Sequence, residues 1–107
     1  MSKPMHVQII EEGRALIADE KNWCRRQMAF DVHGAPICAD DDKARKLCAY
    51  GALIAAAHRT TKDCSLARRL TANAVRHLGG SDALIRVNDT KGHAAVLARF
   101  DGVIQSN

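Results

Sequence analysis

The sequence predicts a single α+β domain, mainly α-helical, in which about four helices pack with a small β-hairpin. Three observations lead to this fold class. The 107 residues match one domain and are too few for two independent cores. Apolar residues make up 47% of the chain and charged residues 26%, as in ordinary globular proteins. The apolar residues recur mostly at spacings of three and four, the period of a helix, and one segment alternates as a strand does.

The first predicted helix spans about residues 5–20. One of its faces is apolar and carries Ile9, Ile10, Leu16 and Ile17. Gly13 lies in line with that face, although glycine costs about 1 kcal/mol relative to alanine inside a helix. We therefore expect Gly13 to let another backbone come close.

A β-hairpin is predicted over about residues 23–38. Cys24, Met28 and Phe30 fall on one side of an alternating pattern, which Arg26 interrupts. Residues 31–34, Asp-Val-His-Gly, are a turn signal, because Asp initiates such turns and Gly accepts positive φ. Pro36 opens the returning strand and confines it to an edge, since proline has no N–H to donate.

The second helix is predicted over about residues 41–58, and the acidic residues 40–42 are its predicted N-terminal cap. Carboxylates at a helix start accept from free N–H groups and favour the helix dipole. The interior carries a stripe of small and apolar side chains, namely Ala44, Leu47, Cys48, Gly51, Ile54 and Ala55. Because small side chains permit close packing, we expect this to be the central helix.

Two further helices are predicted over about residues 65–78 and 90–105. The first of them stops at the glycine pair 79–80. Residues 84–87, Leu-Ile-Arg-Val, are expected to form a short strand or an extended arm. Residues 88–89, Asn-Asp, are a strong N-cap signal for the last helix.

A series of short motifs runs through the chain in order. It comprises Trp23-Cys24, Asp31-x-x-Gly34, Cys48-x-x-Gly51-Ala52-Leu53, Asn88-Asp89 and Ala95-Val96-Leu97-x-x-Phe100-Asp101. From about Ile9 to Ile104, the series resembles a family of small bacterial and phage proteins known only as a domain of unknown function. Val87 departs from the family pattern, in which an aromatic residue often precedes the Asn-Asp pair. The resemblance implies a small α+β domain and supplies no activity.

Five residues are candidates for a shallow polar pocket beside the hairpin: Trp23, Cys24, Asn88, Asp89 and His93. Cys24 precedes two arginines, and nearby cations lower the pKa of a thiol. With His93 as a base and an acid or amide to orient it, the residue types of a cysteine-dependent enzyme are present. No nucleophile motif accompanies them. We therefore favour a helix cap at Asn88 and Asp89 and assign no catalytic residue.

The net charge of +4 is distributed unevenly along the chain. It is −3 in residues 1–42, +7 in residues 43–78 and zero in residues 79–107. A candidate basic binding face in the middle segment, within residues 59–76, consists of Lys62, Arg68, Arg69 and Arg76. A solvated helix face is the ordinary interpretation of such a cluster. The functional interpretation is contact with an acidic protein or with nucleic-acid phosphates.

The sequence favours a non-enzymatic interaction or regulatory module that acts through surface binding, as a monomer or a homodimer. An acidic protein is the expected partner. Weak, non-specific nucleic-acid binding through the 59–76 face is the alternative, but that segment has no aromatic residue on which bases could stack. A small cysteine-dependent enzyme is the second alternative.

We expect no metal, cofactor or membrane segment. The four cysteines lack the two- or three-residue spacing of zinc pairs and are expected to be reduced thiols, mostly buried. No phosphate-loop or dinucleotide motif occurs. The longest apolar-biased run, residues 49–57, is far shorter than the roughly 20 residues of a membrane helix. The first residues contain no apolar signal region, which predicts a cytoplasmic location.

Overall fold

Five helices and one two-stranded sheet make up residues 3–106, the part of the chain that the computed structural model describes. The elements are α1 (Met5–Ile17), β1 (Ala29–Phe30), β2 (Lys46–Leu47), α2 (Ala49–Thr61), α3 (Cys64–His77), α4 (Ser81–Thr90) and α5 (His93–Gln105), and a 3₁₀ turn at Glu20–Asn22 follows α1. The predicted α+β, mainly α-helical class is confirmed. The helices predicted over 5–20, 65–78 and 90–105 correspond to α1, α3 and α5.

Helix α2 is the central helix, as its small side chains predict, and it packs against α1, α3 and α4. The approach of α1 is close at Gly13. A Cβ atom there would lie 3.2 Å from Leu53 Cδ2 and 3.4 Å from the carbonyl oxygen of Ala52. Both of these α2 residues are fully buried. The glycine therefore lets α1 rest on the backbone of α2, which confirms the expectation for Gly13.

The sheet differs from the hairpin predicted over residues 23–38. Strand β1 runs antiparallel to β2, with Ala29 opposite Leu47 and Phe30 opposite Lys46. Pro36, the expected start of the returning strand, forms only an isolated bridge with Phe30. The predicted return is thus confirmed in part: Asp31 N–H donates to the carbonyl oxygen of Ala35 at 2.9 Å and Ile37 N–H donates to that of Ala29 at 3.2 Å, but the paired stretch is a single bridge.

The turn predicted at residues 31–34 is confirmed. One carboxylate oxygen of Asp31 accepts hydrogen bonds from the backbone N–H groups of His33 and Ala35, each at 2.9 Å. Gly34 has a φ of 81°, which glycine adopts without strain. The local turn signal therefore holds, and the segment after the turn returns to β1.

The helix predicted over 41–58 begins at Ala49 instead. Residues 40–42 cap no helix, and Asp41 accepts the N–H of Lys43 at 2.8 Å in a turn. The cap of α2 is Cys48, whose Sγ accepts the N–H of Gly51 at 3.2 Å. The predicted start is wrong because β1 holds residues 46–47 extended, and helical periodicity does not reveal such a distant pairing.

Helix α4 is the element that the sequence does not predict. Residues 84–87, expected as a strand or arm, lie inside it, and so do Asn88 and Asp89. The last helix has Gly92 as its N-cap, so the interpretation of residues 88–89 as that cap is wrong. Only Leu84 and Asn88 are buried on this short helix. Its apolar residues are consequently too few to show a helical period.

Candidate functional site

The five residues predicted to line a polar pocket come together in the structure around Asn88, which is 1% exposed. Its Oδ1 accepts the indole N–H of Trp23 at 2.7 Å and the backbone N–H of Ala49 at 2.8 Å. Its amide nitrogen donates to the carbonyl oxygen of Cys24 and to Oδ1 of Asp89, both at 3.1 Å. Asn88 therefore joins α4 to the start of α2 and to the segment that precedes β1.

His93 lies on the other side of Trp23. The centres of the two rings are 5.4 Å apart, and the guanidinium group of Arg25 lies 5.2 Å from the centre of the indole. The Nε2 atom of His93 is 2.6 Å from the carbonyl oxygen of Ile17, where it donates to a carbonyl that the end of α1 leaves free. The imidazole thus ties α5 to α1.

A cavity of about 230 Å³ adjoins this cluster and is lined in part by Asn88 and Asp89. Asp89 also accepts the backbone N–H of Arg26 at 3.0 Å. Arg26 adopts the left-handed region with a φ of 66°. The hydrogen-bonding groups of the cluster are thus used to hold chain segments together.

The environment of Cys24 opposes a nucleophilic role. The residue is 8% exposed, and its Sγ lies 3.4 Å from the carbonyl oxygen of Gln27. Burial raises the pKa of the Cys24 thiol to about 12. Since the thiolate is the attacking form, this thiol is unreactive at neutral pH. The two arginines after Cys24 do not reverse the effect of burial.

The four residues of the predicted basic face do not share one surface. Each residue of an α-helix is rotated by about 100° from the one before it. Arg69 and Arg76 therefore point within about 20° of each other, and Arg68 points about 80 to 100° away from both. We call the side of α3 that carries Arg69 and Arg76 its outer side.

Lys62 lies apart from the α3 arginines, at the end of α2. Together with Arg59 it lines a depression whose opposite wall is formed by the three acidic residues 40–42. Charges of opposite sign thus face each other across this depression. Part of the net charge of +7 in residues 43–78 is consequently offset by carboxylates of residues 40–42, which lie nearby.

The arginines of α3 are not offset in this way. Within residues 3–106, Arg68 and Arg69 are exposed and take part in no ion pair or side-chain hydrogen bond. Arg76 donates to Oδ1 of Asn73 at 2.6 Å, a neutral partner that leaves its charge in place. Within the described chain, helix α3 therefore carries three arginines without a carboxylate partner, and elsewhere in the basic segment the same is true of Lys43, Arg45 and Lys46.

A groove of about 670 Å³ lies between α2, α3 and residues 36–40, and we call it the α2–α3 groove. On the α2 wall, side chains four residues apart form a row of Tyr50, Ile54 and His58. The α3 wall is polar and consists of Arg68 and Thr71. Ile37, Cys38 and Asp40 belong to the loop wall. The Nε2 atom of His58 is 3.6 Å from Oδ2 of Asp40.

The α2–α3 groove is not among the sites predicted from the sequence. The spacing of Tyr50, Ile54 and His58 is the signal that could have found it, because residues four apart share one helix face. The loop that forms the opposite wall is distant in sequence and was assigned to a hairpin and a helix. That loop is attached to β1, where the N–H of Ile37 donates to the carbonyl oxygen of Ala29 at 3.2 Å, and β1 in turn pairs with β2.

Residues 3–106 show neither a metal centre nor a membrane-spanning helix. No three His, Cys, Asp or Glu side chains in this range are arranged to hold a metal ion. No helix in the range combines the length and the apolar character that crossing a bilayer requires.

Neither the curated proteins nor the solved structures include a significant match to the chain. A family model does match, and it covers residues 1–106. Its description is a family of unknown function, DUF6197. The resemblance to a domain of unknown function is thereby confirmed. The chain belongs to the DUF6197 family of unknown function.

Proposed function

We propose that this chain is a non-enzymatic binding module and that the outer side of α3 contacts an acidic segment of a partner protein. The observation that carries the proposal is the pair Arg69 and Arg76, two cations on one side of a helix whose charges no carboxylate of residues 3–106 neutralises. Guanidinium groups bind carboxylates with two parallel hydrogen bonds, which gives such a contact orientation as well as strength.

The opposite side of α3 anchors the helix to the domain. Ala67 and Ala74 are fully buried, and Thr71 is 5% exposed and donates to the carbonyl oxygen of Ala67 at 2.8 Å. Substitutions on the outer side therefore leave this packing untouched. A binding function of Arg69 and Arg76 is thus separable from folding.

Nucleic-acid binding remains the alternative, because phosphates suit arginine as well as carboxylates do. The outer side of α3 offers no aromatic ring for base stacking, since no aromatic residue occurs in residues 59–76. Phosphate contacts alone carry no sequence information. We therefore expect duplex DNA to bind weakly and without specificity, and to dissociate at about physiological salt.

The cysteine-dependent enzyme is the least supported alternative. Its proposed nucleophile, Cys24, has a pKa of about 12 because it is buried. Its proposed base, His93, is engaged with Ile17. Nothing in this geometry activates the thiol.

A charge-reversal experiment tests the proposal. Fluorescence anisotropy would measure binding of a labelled oligoglutamate peptide to the native chain and to the double variant Arg69→Glu/Arg76→Glu. The matched control is Arg86→Glu/Lys91→Glu, which changes the net charge equally at exposed positions outside α3. We expect the first pair to abolish binding and the control pair to retain most of it.

The same assay with a mixed-sequence DNA duplex separates the two candidate partners. Phosphate contacts weaken with salt at a logarithmic slope of about −0.9 per neutralised phosphate. Tight duplex binding at physiological salt would overturn the acidic-protein proposal in favour of the nucleic-acid alternative. Equal loss of peptide binding in the two double variants would remove the outer side of α3 as the site.

A further inference from the structure

We propose that the α2–α3 groove binds a small organic anion with an apolar body and that Arg68 holds the anionic group. This site is distinct from the outer side of α3, because Arg68 points about 80 to 100° away from Arg69 and Arg76. The inference is thus independent of the proposed protein contact.

The size and the lining of the groove fit such a molecule. Its volume of about 670 Å³ falls within the roughly 300–1,000 Å³ of small-molecule sites. Tyr50, Ile54, Ile37 and Met28 supply apolar and aromatic surface. Sites of this kind combine a mostly apolar lining with a few polar groups that fix orientation. The groove therefore suits the apolar body of one small ligand.

Arg68 is the group that favours an anionic ligand in the groove. Arg68 is the one Lys or Arg side chain in its lining, and it has no ion-pair partner within residues 3–106. The one acidic side chain in the lining, Asp40, has the imidazole of His58 beside it at 3.6 Å. Arg68 is thus free to form a two-pronged contact with a carboxylate or a sulfonate.

The helical walls of the groove are already in place without a ligand. Tyr50 stands between Ala49 and Gly51, which are both buried in the centre of the domain. Thr71 fixes the α3 wall through its hydrogen bond to Ala67. A ligand that enters such a preformed site loses less binding energy to ordering of the protein.

The probe for this site is 8-anilinonaphthalene-1-sulfonate, which combines aromatic rings with one anionic group and fluoresces when it binds apolar surface. We expect the native chain to bind the probe and Arg68→Gln to weaken this binding about ten-fold, the loss typical of a charge-assisted contact. Arg69→Gln is the matched control, because it removes the same charge from the adjacent position. We expect that control to stay within about two-fold of the native chain.

Competition tests the chemical class of the ligand. Octanoate and octan-1-ol have the same apolar chain and differ in the charged group. We expect octanoate to displace the probe at about ten-fold lower concentration than the alcohol does, because only the carboxylate engages Arg68. Equal potency of the two compounds would overturn the role assigned to Arg68.

A protection experiment on the native chain needs no substitution. Cys38 is exposed and lines the groove, whereas the exposed Cys64 is not part of the lining. Bound probe should slow alkylation of Cys38 by N-ethylmaleimide and leave the rate at Cys64 unchanged, as measured by peptide mass spectrometry. The proposal is overturned if the native chain does not bind the probe. Equal weakening in Arg68→Gln and Arg69→Gln, or equal protection of both thiols, would overturn it as well.

Discussion

The indole N–H of Trp23 donates to the side-chain oxygen of Asn88 at 2.7 Å, although the two residues are 65 positions apart. The same oxygen accepts the N–H of Ala49, the first residue of α2. Asn88, a residue of α4, therefore helps to cap the N-terminus of α2. Because it is 1% exposed, water cannot take over these hydrogen bonds when its side chain is removed.

Replacing Asn88 by alanine should lower the free energy of unfolding by about 3 kcal/mol, since the buried N–H of Ala49 and the half-buried indole N–H of Trp23 lose their acceptor. A urea titration followed by circular dichroism measures this change. Asp89→Ala is the control, and we expect it to cost no more than about 1 kcal/mol, because its bond to the Arg26 N–H is exposed. If both variants unfold at the same urea concentration, Asn88 is not the structural centre of the cluster.

The predictable part of the fold is the part with long local patterns. In α1, the four apolar side chains of one face repeat over several turns and reveal the helix, and the glycine pair 79–80 marks the end of α3. Helix α4 has only ten residues and buries two of them, so it shows no clear helical period. Considered alone, its residues 84–87, Leu-Ile-Arg-Val, are typical of a strand. The missing information is tertiary, because α4 is stabilised by its contacts with α2 and α5.

The candidate sites, too, are predictable only in the features that a local sequence pattern marks. The predicted polar residues lie around the start of α2 rather than that of α5, and Asn88 and Asp89 line a different pocket from Trp23 and Cys24. The basic cluster is predicted from charge alone. Charge does not show that Arg68 lines the groove whereas Arg69 does not. The α2–α3 groove includes a loop attached to β1, and no local sequence pattern predicts the pairing of β1 with β2.

Even the smallest side chain at position 51, that of alanine, should destabilise the domain. It would overlap the carbonyl oxygen of Met28 and approach the carbonyl carbon at 3.1 Å. Both are backbone atoms that cannot rotate away, so we expect Gly51→Ala to lower the free energy of unfolding by about 1–3 kcal/mol.

The matched glycine is Gly102, which lies inside α5, where an added Cβ would meet no described atom within 4 Å other than its chain neighbours and the helix's own backbone. Alanine there should stabilise the domain by up to about 1 kcal/mol, because alanine favours the helix. Thermal unfolding of the two variants measures both effects. A melting temperature of Gly51→Ala at or above that of the native chain would refute the close contact between α2 and Met28.

The four thiols should separate into two classes during brief alkylation near neutral pH. Cys38 and Cys64 are exposed, whereas Cys24 and Cys48 are buried. Burial raises the pKa of both buried thiols, that of Cys24 to about 12. Peptide mass mapping should therefore find label on Cys38 and Cys64 first. Early label on Cys24 in the folded chain would revive the cysteine-dependent enzyme.

The stability of the domain should depend on pH through His6. Its ring stacks on that of His77, with centres 3.6 Å apart and planes 9° apart, and so connects α1 to α3. The Nε2 atom of His6 is enclosed and has no hydrogen-bond partner within residues 3–106. Desolvation and the neighbouring His77 lower the pKa of His6 from its ordinary value of 6.5.

The sign of the effect follows from proton binding. As the pH falls through 6.5, His6 binds a proton in the unfolded chain before it does so in the folded one. The free energy of unfolding therefore decreases on acidification, and this loss stops growing below the pKa of the folded state. Above 6.5 the imidazole is neutral in both states, so His6 adds no pH dependence there.

Urea titrations at pH values on both sides of 6.5 measure this dependence. His6→Phe keeps a flat aromatic ring against His77 and cannot titrate, so we expect it to lose less stability on acidification than the native chain does. His33→Gln, which removes an exposed histidine, should follow the native chain. If the native chain and His6→Phe lose stability equally, protonation of His6 does not weaken the contact between α1 and α3.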